Sequence, residues 1–103
     1  MPIYVLMTKL APETEADPRG RRAVGREWKK LVDKAVPEVK FLAHYALLGP
    51  YDFMDIYEAP DEAAAHRVSL LSRERGALSA ESWPAMPYEQ YVKLAEELEK
   101  KIK

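Results

Sequence analysis

His44, Asp55 and Tyr57 are the side chains of this sequence best suited to acid–base work. A carboxylate set against an imidazole orients the ring and raises its basicity, which makes a general base near neutral pH. A phenol beside that pair can donate to a developing oxyanion or to a bound carbonyl. The competing reading is structural, with the three groups bonding one another or a partner's backbone inside an interface. Ion-pair networks also build clusters of this kind, and the structural reading takes precedence.

The three residues meet only if the segments that carry them pair. Residues 39–48 and 53–59 are both rich in apolar and aromatic types at strand length, and Gly49-Pro50-Tyr51-Asp52 lies between them. Proline has the right φ for the second position of a turn, so a tight hairpin is predicted. If the turn is these four residues, His44 opposes Tyr57 with Asp55 on the diagonal; a tighter loop sets His44 against Asp55. Either register leaves the three within side-chain reach.

Strand alternation then divides the sheet into two faces. Ile3, Val5 and Met7, with Phe41, Ala43, Tyr45 and Leu47, and with Met54 and Ile56, form the set expected beneath helices. The opposite set is Tyr4, Leu6 and Thr8, then Leu42, His44, Ala46 and Leu48, then Phe53, Asp55 and Tyr57. That face is expected to be open, yet it is too apolar to be left in water, which marks an interface or a ligand groove. Its candidate ligand contacts are Tyr4, Thr8, His44, Asp55 and Tyr57. Trp83 is placed at a pocket mouth or a dimer rim.

The elements that position these residues follow from local patterns. Residues 3–9 read as the first strand. Residues 10–18, with two prolines and three acids, read as a loop, and Asp17-Pro18 as a helix start. Val24, Trp28, Leu31, Val32 and Ala35 repeat as one apolar helical stripe, with Trp28 expected in the core, and Pro37 ends the helix. Asp61 is predicted to cap a second helix bearing Ala64, Val68 and Leu71, which Gly76 closes. Residues 77–83 form a fourth strand that Pro84 and Pro87 confine to an edge. A last helix, about 88–103, carries Tyr91, Leu94, Ala95, Leu98 and Ile102 on one side and favourable Glu–Lys i,i+4 pairs on the other. The order β-α-β-β-α-β is that of a split βαβ unit.

Composition limits the function. At 103 residues with 48% hydrophobic and 32% charged residues, the chain is expected to be one globular α+β domain over 1–103. Its 16 Lys and Arg nearly cancel 17 Asp and Glu, so no general basic field exists for nucleic acid or an anionic membrane. The absence of cysteine excludes disulfides, thiolate catalysis, iron–sulfur clusters and Cys-type zinc sites. The opening Met1–Met7 is apolar but has no basic lead, so neither a signal peptide nor a membrane span is expected, and a cytoplasmic location is the default.

Leu48-Gly49-Pro50-Tyr51-Asp52, followed by a strand and by Glu58-Ala59-Pro60-Asp61-Glu62, resembles the GYD domain family. The opening Met1-Pro2-Ile3-Tyr4 and Gly76 also fit. The resemblance implies a ferredoxin-like protomer of the dimeric α/β-barrel superfamily: an antiparallel four-stranded sheet, here with an extra C-terminal helix, packed face to face on a second copy. That superfamily spans small monooxygenases, haem-handling enzymes, isomerases and ligand sensors, so the fold leaves the activity open. Asp55 stands where the family's pattern is usually apolar, which points to something particular to this chain. Tyr51 and Asp52, which carry the signature, read physically as turn and packing residues.

Three functions are therefore carried forward. The first is a homo-oligomer that binds a small organic ligand on the open sheet face. The second is a cofactor-free oxygenase or isomerase using His44, Asp55 and Tyr57 as its catalytic groups. The third is a non-catalytic assembly or sensing module. No metal is expected, because His44 and His66 are the only histidines and no ligand spacing joins them. No cofactor is assigned, with haem on His44 the one alternative. The basic run Arg19, Arg21, Arg22, Arg26, Lys29 and Lys30, with Glu13, Glu15, Asp17 and Glu27 close by, reads as a salt-bridged solvated face.

Overall fold

The computed structural model describes residues 1–103. The elements run β1 (Ile3–Leu10), α1 (Pro12–Glu15), α2 (Arg21–Ala35), β2 (Lys40–Ala46), β3 (Phe53–Glu58), α3 (Glu62–Glu74), β4 (Ala77–Ala85) and α4 (Tyr88–Ile102). One sheet has the order β2-β3-β1-β4 with every pair antiparallel. This is the expected α+β, ferredoxin-like arrangement with an additional C-terminal helix. No helix is long and apolar enough to cross a membrane.

Local chemistry explains most boundaries. Asp61 caps α3, its carboxylate accepting from Ala64 N at 2.9 Å. The loop predicted over 10–18 contains a short helical turn, α1. The next helix starts later than Asp17-Pro18 suggested, because Asp17 is already engaged. Its carboxylate accepts from Arg19 N at 2.9 Å and from the Arg19 guanidinium at 2.8 Å, and Gly20 precedes α2 instead. Gly76 follows α3 with φ +116°, a conformation that favours glycine. A Cβ there would also lie 2.5 Å from Thr14 Oγ1, the hydroxyl that donates to Gly76 O at 2.7 Å.

The core inverts the faces expected from alternation. Tyr4, Leu6 and Tyr57 are buried with Val36, Val68, Ala64, Ala65 and Ala80, so their face lies beneath α2 and α3. Ile3, Val5, Met54 and Ile56 occupy the other face, half-buried, and Met7 lies there too, buried. The reason is size complementarity. The alanines of α3 leave space for large rings on the sheet, and three rings fill it. Tyr4 stacks on Tyr57 with centroids 5.6 Å apart, and Phe41 lies 5.2 Å from Tyr57. Trp28 of α2 meets Phe41 edge-on at 5.5 Å and donates from Nε1 to Ser72 Oγ at 2.9 Å.

A bulge completes the correction on β2. Phe41 pairs with Tyr57 and Ala43 with Ile56, so Leu42 is extruded and half-exposed. The extra residue resets the alternation. Phe41 and His44 therefore share the helix-covered face, while Ala43 and Tyr45 point to the open one.

No part of the chain covers that open face as α2 and α3 cover its opposite. The last helix, α4, has no buried residue, and it stretches the molecule to 60 Å along its longest axis. Tyr91, Leu94, Leu98 and Ile102 repeat along α4 at helical spacing, all exposed. An amphipathic helix with its apolar stripe in water lacks the packing that normally supplies helical stability.

Candidate functional site

The registered hairpin sets His44 directly opposite Asp55. This is the second of the two registers allowed by sequence, but it is reached with a longer connection and not a tighter one. Ala46 pairs with Phe53, so residues 47–52 form the loop. His44 Nδ1 and Asp55 Oδ1 are 2.5 Å apart, and the imidazole stacks on Phe53 with centroids 5.3 Å apart. The Asp55 side chain is 4% exposed and that of His44 is 59% exposed. The carboxylate thus lies at depth and the ring reaches solvent. Burial raises the Asp55 carboxyl above its ordinary value, and His44 opposes that shift.

Tyr57 does not join this pair. Its hydroxyl points to the other side of the core, 2.7 Å from Ser82 Oγ, which is itself 2.7 Å from Ser69 Oγ. Burial pushes the phenol up to about 12. Tyr4 is likewise a core residue. Trp83 sits on the opposite face of the sheet, where its Nε1 donates to Glu81 Oε1 at 2.9 Å and its ring meets Tyr51 edge-on. Of the six candidate ligand contacts, Thr8, His44 and Asp55 therefore line one cavity, and Tyr4, Tyr57 and Trp83 lie away from it.

That cavity is a cleft of about 700 Å³ between α2, the sheet and the C-terminal end of α3. Its floor is Asp55, His44 and Thr8, and its walls include Trp28, Phe41 and Phe53. Gly25, in the middle of α2, opens it. A Cβ at Gly25 would meet nothing within 4 Å, so no contact requires glycine there. Glycine inside a helix costs about 1 kcal/mol relative to alanine. What its missing side chain leaves is room.

The rim is cationic. Arg21, Arg22, Arg26, Lys29 and Arg75 surround the opening, and Asp55 is the one acid among the lining residues. Lys29 is taken by Asp33 at 2.6 Å, and Arg19, outside the cleft, by Asp17 and Glu27. Arg21, Arg22, Arg26 and Arg75 form no ion pair. The basic run is thus divided: Arg19 and Lys29 are salt-bridged as expected, whereas Arg21, Arg22, Arg26 and Lys30 are exposed as expected but form no ion pair. A signal existed, since residues 22, 25, 26 and 29 follow the i, i+3, i+4, i+7 spacing of one helical face. It reads as cationic with a gap at glycine.

The signature residues are structural, as expected. Asp52 Oδ2 accepts from Leu10 N at 2.7 Å, and Asp52 N donates to Thr8 O at 2.8 Å. These bonds fasten the hairpin loop to the end of β1. Tyr51 lies across the open side of the sheet, its hydroxyl 3.2 Å from Glu81 Oε2. No group of three or more His, Asp or Glu side chains comes together in metal-binding geometry.

The raised Asp55 carboxyl has a consequence for stability. The folded state keeps the proton at a pH where the unfolded chain has released it, so this group's contribution is full below the unfolded value and lost as pH rises through the folded one. Asp55→Asn removes that dependence. Urea unfolding from about pH 4 to about pH 7 is expected to show the variant gaining on wild type as pH rises. A variant that instead loses ground would mean that the pair with His44 outweighs the burial of the carboxylate.

A protein of Thermus thermophilus named "Glutamine synthetase and cystathionine beta-lyase binding protein" is 41% identical to this chain over 49 residues. The match spans 48% of this chain and 52% of that relative, about half the length of each. No solved structure matches the chain. The sequence pattern of the GYD domain matches residues 4–95, so it takes in β1 through α3 and β4, the cleft and the hairpin that carries Tyr51 and Asp52. By that match the chain belongs to the GYD domain family.

Proposed function

We propose that this chain is a self-associating cytoplasmic binding module that takes a small organic ligand in the cleft between its helices and its sheet. The observation that carries the proposal is the cleft itself. A concave space of about 700 Å³ with aromatic walls and a few polar groups at its floor has the form of a small-molecule site. The ligand is thus assigned to the helix-covered face, and the open face expected from sequence to hold it is given to self-association. Catalysis by His44, Asp55 and Tyr57 has less support, because the Tyr57 hydroxyl is committed to Ser82 and does not line the cleft. The pair His44–Asp55 supplies a fixed hydrogen-bonding group, with Nδ1 held by the carboxylate and Nε2 left to a ligand.

A second copy of the chain is the occupant proposed for the open face. Val5, Ile56 and Tyr45 there, and Leu94 and Leu98 on α4, are apolar groups whose burial would add about 25 cal/mol per Å². The relative named for binding two enzymes favours a further reading, in which the same surfaces dock on another protein. The long apolar stripe of α4 suits a partner's groove.

Two measurements test these statements. A thermal-shift screen of small organic acids, alcohols and amines should find compounds that raise the Tm of wild type but not of Gly25→Leu, whose Cβ has open space around it and whose longer side chain is expected to occupy part of the cleft. The same shifts in both proteins would count against the cleft. Sedimentation velocity should show a dimer or higher species at micromolar concentration, and Ile56→Glu should drive it toward monomer. A wild-type chain that remains monomeric there would rule out self-association.

A further inference from the structure

We infer that the cleft takes an organic anion with a flat apolar body, its acidic head held by the rim arginines and its body laid against Phe41, Phe53 and Trp28. This rests on the ligand-binding reading of the cleft and names the chemistry of the ligand. The chain as a whole is net −1, with 17 acids to choose from. Even so, Arg21, Arg22, Arg26 and Arg75 stand round one opening with no carboxylate partner. Two of them occupy the first turn of α2, which holds no acidic residue and where the helix dipole disfavours positive charge. Like charges gathered in this way oppose folding, and a shared anion removes the opposition. Guanidinium groups meet carboxylate, phosphate or sulfonate oxygens in a bidentate geometry suited to the task.

The interior of the cleft sets the orientation. Its depth holds the Asp55 carboxylate, which repels an anionic head, so the head belongs at the rim and the apolar body points inward. The body is flat because three aromatic rings and the imidazole stacked on Phe53 line the space. Gly25 lies on the same helical face as Arg22 and Arg26, so the opening in α2 and its charges are presented together.

Anilinonaphthalene sulfonate and phenylnaphthylamine test this directly. They share their two ring systems, differ by the sulfonate, and both fluoresce on leaving water. Each is titrated into wild type, Gly25→Leu and the double variant Arg22→Gln/Arg26→Gln, whose exposed positions keep the fold intact. The cleft-bound part of each signal is the part that Gly25→Leu abolishes. The sulfonate is expected to bind wild type about tenfold more tightly than the neutral probe. The double variant, or added salt, should erase most of that preference and leave the neutral probe unchanged. Equal binding of both probes to wild type, with both lost in Gly25→Leu, overturns the anion and leaves a cleft for neutral ligands. Undiminished binding of both probes in Gly25→Leu overturns the cleft as a site.

Discussion

Tyr57 lies between Tyr4 and Phe41 on the sheet and beneath Ala64, Ala65 and Val68 of α3, fully buried. This contact decides which face of the sheet the helices cover. Large rings on β1, β2 and β3 need small side chains above them, and α3 provides those where it crosses β1 and β4. Once α3 is seated, α2 packs through Trp28 on the edge of Phe41 and bonds Ser72 of α3. Beyond Phe41 come His44, Asp55 and Thr8, with Phe53 at the far side, and α2 carries Gly25, so helix and sheet do not close on each other. The cleft is the unfilled continuation of the same layer that forms the core. His44 and Asp55 fall inside it because they lie next in line on β2 and β3 after Phe41 and Tyr57.

Much of this was legible in the sequence. The strand and helix order, the Asp61 cap, the glycine at the end of α3 and the edge position of β4 all follow from local chemistry. The His44–Asp55 contact also followed, since cross-strand neighbours on a short hairpin have few registers. The sidedness of the sheet did not. Ile3, Val5 and Met7 are as apolar as Tyr4, Leu6 and Thr8 or more so, and alternation alone ranks the aliphatic set inward. Only the pairing of aromatic rings with the alanines of α3 reverses that order, and this is a tertiary match between segments far apart in sequence. The bulge at Leu42 has no local mark either. It moves Phe41 onto the same face as His44, two residues that a regular strand would separate.

The rim shows a similar limit. Counting acids near the basic run in sequence predicts full pairing, but pairing depends on which face of α2 each charge occupies. Arg19 precedes the helix and folds back on Asp17 and Glu27. Arg22 and Arg26 line the cleft with Gly25 between them, and neither forms an ion pair. Charge, missing volume and aromatic lining thereby coincide at one place in a protein whose net charge is near zero. The open sheet face lies on the other side of the sheet, so the proposed self-association and the proposed ligand draw on different residues.

The central claim is that ligand is held on the helix-covered side of the sheet, and amide chemical-shift mapping of the labelled protein with anilinonaphthalene sulfonate tests it most directly. The largest changes are expected at Gly25, Arg26, His44 and Phe53, with Ala43, Tyr45 and Ile56 little moved. Changes centred on Tyr45, Ile56 and Trp83 instead would place the ligand on the open face and contradict the claim.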